Sequence, residues 1–446
     1  ELLNPQQFEM FKVYLQTQEP NRAIITSKWG EIETAEVKKD TQVRYLGGVK
    51  SPILTEVKKS DKVTVLEDED DWMKVATADG YVGYIKTKFL KNQKKEKTSR
   101  DFTEPVYSDM TEDHSINMAW HNVTNAAANN AVQQVLASTS GLTTIAPTWF
   151  SLADTEGNIS SIADADYVNY AHTAGLEVWA VFRDFHGGTN SYDETYETLR
   201  YTSKRAKLED QVVAAAVAAG VDGINLDFEL ISSKCGVHYV QLVRELSVKC
   251  HQNNLVFSVD NYVPQSYNSH YDLKEQGIVA DYVVIMAYDE HTEGSYEAGS
   301  VASISYLQDG IEKTLKKVSA DKVIAGIPFF TRLWFETAKS PEQLSEEAGT
   351  EAASYPNKVS SKALGMEEAA QSVVNAGATA QWDEKTQQNY AKWSADGGTY
   401  RIWLEDAQSL EAKLKVIQEN KLAGVAEWSL GKEESSVWKL ISQYVN

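Results

Sequence analysis

From residue 107 onward, short apolar runs alternate with amphipathic stretches. The runs lie at residues 116–120, 142–147, 177–182, 221–227, 255–259, 282–288, 323–328 and 424–428. Between them, residues 208–219 and 239–249 repeat apolar side chains at helical spacing. Strand-type runs alternating with helices predict an α/β fold with a parallel sheet. Eight similar units predict closure into a (β/α)8 TIM barrel rather than an open, doubly wound sheet. The longest gap separates the last two runs. Residues 332–405 are therefore expected to form a small α+β insertion between strands 7 and 8, with strand-like pieces at 379–382, 390–393 and 400–403.

The N-terminal part has a different rhythm. Short β-prone runs at 43–46, 62–66, 72–76 and 81–85 are separated by turn signals such as Ala78-Asp79-Gly80. They predict a small all-β barrel over residues 41–90. Residues 1–40 are ambiguous: Phe8, Phe11, Val13 and Leu15 fit a short helix or strand left from a preceding module. Residues 91–106 are polar and charge-dense and read as a linker, leaving 107–446 for the large barrel. The segment Asp79-Gly80-Tyr81-Val82-Gly83-Tyr84-Ile85, followed by Phe89-Leu90, resembles bacterial SH3-type domains. That resemblance implies a groove for cell-wall peptides, and an inert spacer is the competing reading.

Composition narrows the partners. The net charge of −21 is unevenly placed, because residues 1–104 hold equal numbers of basic and acidic groups. The remainder carries the whole excess, which argues against nucleic acid or an anionic membrane as the main partner. No run of 18 apolar residues occurs, so no membrane span is expected. The chain opens at Glu1 without a signal peptide and reads as a processed or trimmed piece. Its two cysteines, Cys235 and Cys250, flank a helical stripe. On one helix they would stand roughly 22 Å apart, so two free thiols are expected.

The richest chemistry lies in Val221-Asp222-Gly223-Ile224-Asn225-Leu226-Asp227-Phe228-Glu229. Strand alternation puts Asn225, Asp227 and Glu229 on one face, roughly 6–7 Å apart per step of two residues. Two carboxylates on a buried strand are costly unless paired, hydrogen-bonded or used. Repulsion and desolvation push one of them towards its protonated form, which suits glycosidic bond cleavage. A structural acidic cluster and a calcium site are the competing readings. Barrels place chemistry at the C-terminal ends of their strands, and Met286-Ala287-Tyr288-Asp289 and Glu427-Trp428 end two others.

These residues also carry a family resemblance. Asp222 to Glu229 resembles the D-G-x-D-x-D-x-E signature of family 18 glycoside hydrolases, and Met286-Ala287-Tyr288-Asp289 resembles its M-x-Y-D. Trp428 is similar to the tryptophan that floors the family's sugar subsite. The resemblance covers about residues 107–446. Ala380-Gln381-Trp382-Asp383-Glu384 and Trp403-Leu404-Glu405-Asp406-Ala407 resemble the subgroup containing bacterial spore-cortex lytic N-acetylglucosaminidases. The resemblance implies a retaining, substrate-assisted mechanism. Glu229 would be the general acid and base, Asp227 would orient the substrate's acetamido group, and Tyr288 would hydrogen-bond its carbonyl. Trp428 would stack under the sugar, while Met286 and Asp289 shape that subsite.

The chain departs from the signature at Asn225, where the family carries an acid. An amide donating to Asp227 is expected to keep that carboxylate ionised. The S-x-G-G pattern of many chitinases is absent, with Ala146-Pro147-Thr148-Trp149-Phe150 in its place. The expected partner is an N-acetylglucosamine-containing glycan, foremost bacterial peptidoglycan, with an extracellular or cell-wall-associated location. Alternatives are a chitooligosaccharide or N-glycan endo-hydrolase, or a non-hydrolytic carbohydrate-binding protein, which the presence of Glu229 disfavours. The histidines form no metal motif, His291 reads as solvated or structural, and neither a metal nor a cofactor is expected.

Overall fold

Each of the eight runs folds as a strand in the computed structural model, which describes residues 30–98 and 109–445. They are β1 (Ile116–His121), β2 (Thr144–Leu152), β3 (Glu177–Arg183) and β4 (Gly223–Asp227). The second half comprises β5 (Val256–Tyr262), β6 (Tyr282–Met286), β7 (Val323–Pro328) and β8 (Gly424–Trp428). All pair in parallel and in chain order, and β8 returns to β1 to close the barrel. Several boundaries differ from expectation, and β2 runs on to Leu152, five residues past its expected end. β5 continues to Tyr262, because Asp260 and Tyr262 extend the alternation. β6 stops at Met286, and the chain then turns with Asp289 in the left-handed region at φ 59°.

Alternation sorts the side chains into two layers. Ile224 and Leu226 of β4 pack outward with Phe228 against the helices, whereas Trp120, Trp179, Val284 and Met286 fill the barrel interior. The helix Thr202–Ala219 buries Leu208, Val212 and Ala216 and stops at Gly220, whose φ of 77° suits glycine. The helix Gly236–Gln252 buries Tyr239, Leu242, Val243 and Leu246. Cys235 and Cys250, at its two ends, are both buried free thiols.

The insertion between β7 and β8 is an antiparallel five-stranded sheet. Its order is Asn357–Gly365, Phe330–Ala338, Gly398–Leu404, Gln388–Ala395, Gln381–Asp383. The helix Met366–Asn375 packs on it through Ala369 and Val373. The three expected strand pieces are present; the strands Phe330–Ala338 and Asn357–Gly365 were not anticipated.

The chain divides into two compact units, Glu1–Val106 and Tyr107–Asn446. In the first, seven strands form one sheet around Val37, Val43, Val63, Met73, Val75 and Ile85. Part of the expected linker 91–106 needs correction: Leu90–Thr98 is a strand paired antiparallel with Gly30–Val37. The β region is thus wider than 41–90. Phe8, Phe11, Val13 and Leu15 lie outside the described residues. Among the described residues, no helix is long and apolar enough to cross a membrane.

Candidate active site

A cleft of about 170 Å³ opens at the C-terminal ends of the barrel strands. Six of the seven expected residues line it: Asp227, Glu229, Met286, Tyr288, Asp289 and Trp428. Its aromatic floor is tightly keyed. The Trp120 ring meets Trp428 at 6.0 Å and Tyr288 at 6.4 Å, both edge-on, and Phe330 from the inserted lobe meets Tyr288 at 6.3 Å. Such edge-to-face contacts hold flat apolar surfaces in fixed orientation, as stacking under a sugar ring requires.

Glu229 lies two residues beyond the end of β4, yet it is clamped from three sides. Its backbone N–H donates to Asp184 at 2.9 Å, and its carbonyl accepts from the Tyr271 hydroxyl at 3.1 Å. The Tyr262 hydroxyl donates to its carboxylate. Burial raises the Glu229 pKa, the Tyr262 hydrogen bond partly offsets that, and the charge of Asp289 raises it further. The carboxyl thus holds its proton more readily than an exposed one, as a general acid must. Asp184 itself is fully buried, accepts also from Leu230 N–H and Thr195, and is pushed up to about 7, chiefly by burial.

Asn225 behaves differently from expectation. It is 0% exposed and lies beneath the cleft rather than lining it. Its Oδ1 accepts from the Trp120 indole N–H at 3.0 Å, while its Nδ2 donates to Ser258 at 2.9 Å and to Asp260 at 2.7 Å. An indole N–H only donates, so this contact fixes which way the amide faces. No bond runs from Asn225 to Asp227, and one Asp227 oxygen, Oδ1, is buried without a hydrogen-bond partner. The expected ease of ionising Asp227 is therefore not met. Its pKa stands well above the usual carboxylate range through burial first, then the charges of Glu229, Asp260 and Asp184. Arg183, its register neighbour on β3, acts in the opposite sense.

Sequence reasoning did not single out Arg183, Asp260 and Tyr262, all of which line the cleft. Their signal was present. Each occupies an inward position at the C-terminal end of a barrel strand, the rule that marked Asp227. Trp120, Thr148, Phe185 and His186 complete much of the wall. His291 is not among the lining residues; its Nδ1 lies 2.8 Å from the Ser300 carbonyl.

Similarity to known proteins identifies the family and the fold. Residues 119–433 match the profile of Glycosyl hydrolases family 18, and residues 38–91 match the Bacterial SH3 domain. The chain is 26% identical over 295 residues to the uncharacterized glycosylase YvbX of Bacillus subtilis, covering 64% of this chain and 80% of that protein. It is 27% identical over 256 residues to the cortical fragment-lytic enzyme of Bacillus subtilis, covering 55% of this chain and 54% of that enzyme. This chain therefore spans about half of the second relative's length. The spore cortex-lytic enzyme SleL of Bacillus megaterium shares the fold, with a TM-score of 0.61, 20% identity and 76% coverage of each chain.

Proposed function

The chain belongs to glycosyl hydrolases family 18, and from that premise we propose that it cleaves β-linked N-acetylglucosamine glycans of bacterial peptidoglycan with retention at the anomeric carbon. The supporting observation is one cleft lined together by the half-buried Asp227, by Glu229, whose pKa burial raises, and by the aromatic rings of Trp428 and Tyr288. In this reading Glu229 gives its proton to the leaving oxygen while the substrate's acetamido oxygen closes on the anomeric carbon. Asp227 holds the acetamido N–H, Tyr288 its carbonyl, and Trp428 the face of the sugar. Water then opens the cyclic intermediate, and Glu229, now a carboxylate, takes back a proton from it. Met286 and Asp289 shape the same subsite. The β unit matching bacterial SH3 domains, and the cortical fragments named in one relative, favour a wall glycan over chitin. Such a substrate puts the working location outside the bacterial membrane.

The test supplies peptidoglycan fragments and chitooligosaccharides side by side. Mass spectrometry identifies the products, and proton NMR reads the fresh anomeric centre. Cleavage after N-acetylglucosamine with retained configuration is expected, with Glu229→Gln slower by at least about 100-fold. Inverted products would remove the substrate-assisted mechanism. Turnover of chitooligosaccharides alone would move the substrate assignment to chitin-type glycans.

A further inference from the structure

Asn225 occupies the position where the family signature carries an acid, and it is bonded to a buried acid on the next strand. The register places Asn225 of β4 beside Ser258 of β5. Two residues further along each strand, on the same inward face, stand Asp227 and Asp260. Neighbouring strands lie about 4.8 Å apart, so these two carboxyls are lateral neighbours at one level of the barrel. Both line the cleft, and Asp260 is 2% exposed.

The hydrogen bonds leave a specific deficit. Asn225 satisfies Asp260 Oδ1 at 2.7 Å. Asp227 Oδ1 is buried with no donor. Two ionised carboxylates side by side in a buried site repel, and a single proton between them removes both the repulsion and the missing donor. Asp260 is pushed up to about 8 by burial and by the charge of Glu229, and Asp227 also stands well above its usual range, so both members of the pair favour holding a proton.

We propose that Asp260 is a positioning residue that supplies the acid the signature lacks at 225: it shares one proton with Asp227 and so orients that carboxyl towards the substrate. The pair keeps one proton and one negative charge throughout, so nothing is consumed. The proton moves towards Asp227 or Asp260 as charge develops in the cleft. The other groups facing the pair are Glu229 on the segment after β4, Arg183 and Asp184 at the end of β3, Tyr262 of β5, and Tyr288 and Asp289 after β6. Tyr239, from the helix Gly236–Gln252, faces it from the outer layer.

This inference rests on the reading of Asp227 and Glu229 given above, and the experiment separates the two. Asp260→Asn keeps the shape and can still donate to Asp227, but it has no proton to give up. We expect kcat to fall at least tenfold with KM little changed, and the alkaline limb of the kcat profile to move. The double variant Asn225→Asp with Asp260→Asn returns the carboxyl to β4 and the amide to β5, and should recover at least half of the loss on a logarithmic scale. Wild-type-like activity in Asp260→Asn, or no recovery in the double variant, overturns the proposal. Glu229→Gln is run beside them. If it stays active, the reading of the site falls and takes this proposal with it. If it is inactive while Asp260→Asn is not, the proposal alone falls. Should Asp260→Asn fail to fold, a carboxyl-carbon NMR titration of the unmodified chain decides. One proton retained by the Asp227–Asp260 pair at pH 7 supports the sharing, and both carboxyls ionised at pH 7 overturns it.

Discussion

The acid that does the cleaving in our reading is tuned by a neighbour that chain order conceals. Tyr262 donates to the Glu229 carboxylate, a bond that favours the charged form and works against burial. Tyr262→Phe removes the donor and leaves burial unopposed, so the Glu229 pKa rises. Glu229 must carry its proton to start the reaction, and the alkaline limb of kcat/KM is therefore expected to move to higher pH. A pH series of initial rates on a glycan oligomer checks this, and an unmoved or lowered limb would show that Tyr262 does not tune Glu229. Asp227 and Glu229 were legible in the sequence because a two-residue repeat marks one strand face without further information. The bond from Asn225 to Asp260 was not, since it joins residues 35 positions apart. It depends on which strands become neighbours, and on an amide orientation set by Trp120 from a third strand.

At the scale of elements, legibility followed burial. All eight barrel strands were readable, since each is covered on both faces and reads as a nearly continuous apolar run. Leu90–Thr98 was not, because as an edge strand it has almost no buried face. Its sequence is dominated by lysine, and pairing with Gly30–Val37 is marked by ion pairs of Lys91 with Glu36 and Lys95 with Glu31. The unanticipated lobe strand Phe330–Ala338 escaped for a related reason: its burial does not alternate, since one end serves the barrel and the other the lobe. It also braces the cleft. Trp334 is fully buried, and its indole N–H donates to the Gly299 carbonyl at 2.8 Å, in the loop that follows Tyr288 and Asp289. Trp334→Ala is expected to cost about 3–5 kcal/mol of stability. It should also raise KM, as the loop loses its anchor, whereas Trp334→Phe should retain most of the packing. Thermal melts paired with steady-state kinetics test this. A KM change without loss of stability would argue against a bracing role.

Taken as a whole, the molecule stores protons in its interior, and its stability should reveal them. Burial pushes Asp184 up to about 7 and Asp260 up to about 8, from an ordinary value of 3.8. Glu177, near the other end of the barrel, is raised to about 7, mainly by burial. Each folded group keeps a proton that the unfolded chain has already released. The stability these groups contribute is therefore complete below their unfolded values and is lost as pH rises through 7 and 8. His121 runs the other way. Burial lowers it from 6.5 to about 4, so it costs stability only below pH 6.5. Between pH 6.5 and about 8.5 these carboxyls give a falling slope, and the barrel's melting temperature should fall. A calorimetric series across that window measures the slope, and Asp260→Asn should make it shallower by removing one proton from the folded side. A flat wild-type slope would mean that the buried carboxyls release their protons by neutral pH. The pair Asp227–Asp260 would then have no proton to share, so a melting curve bears directly on how the cleft is wired.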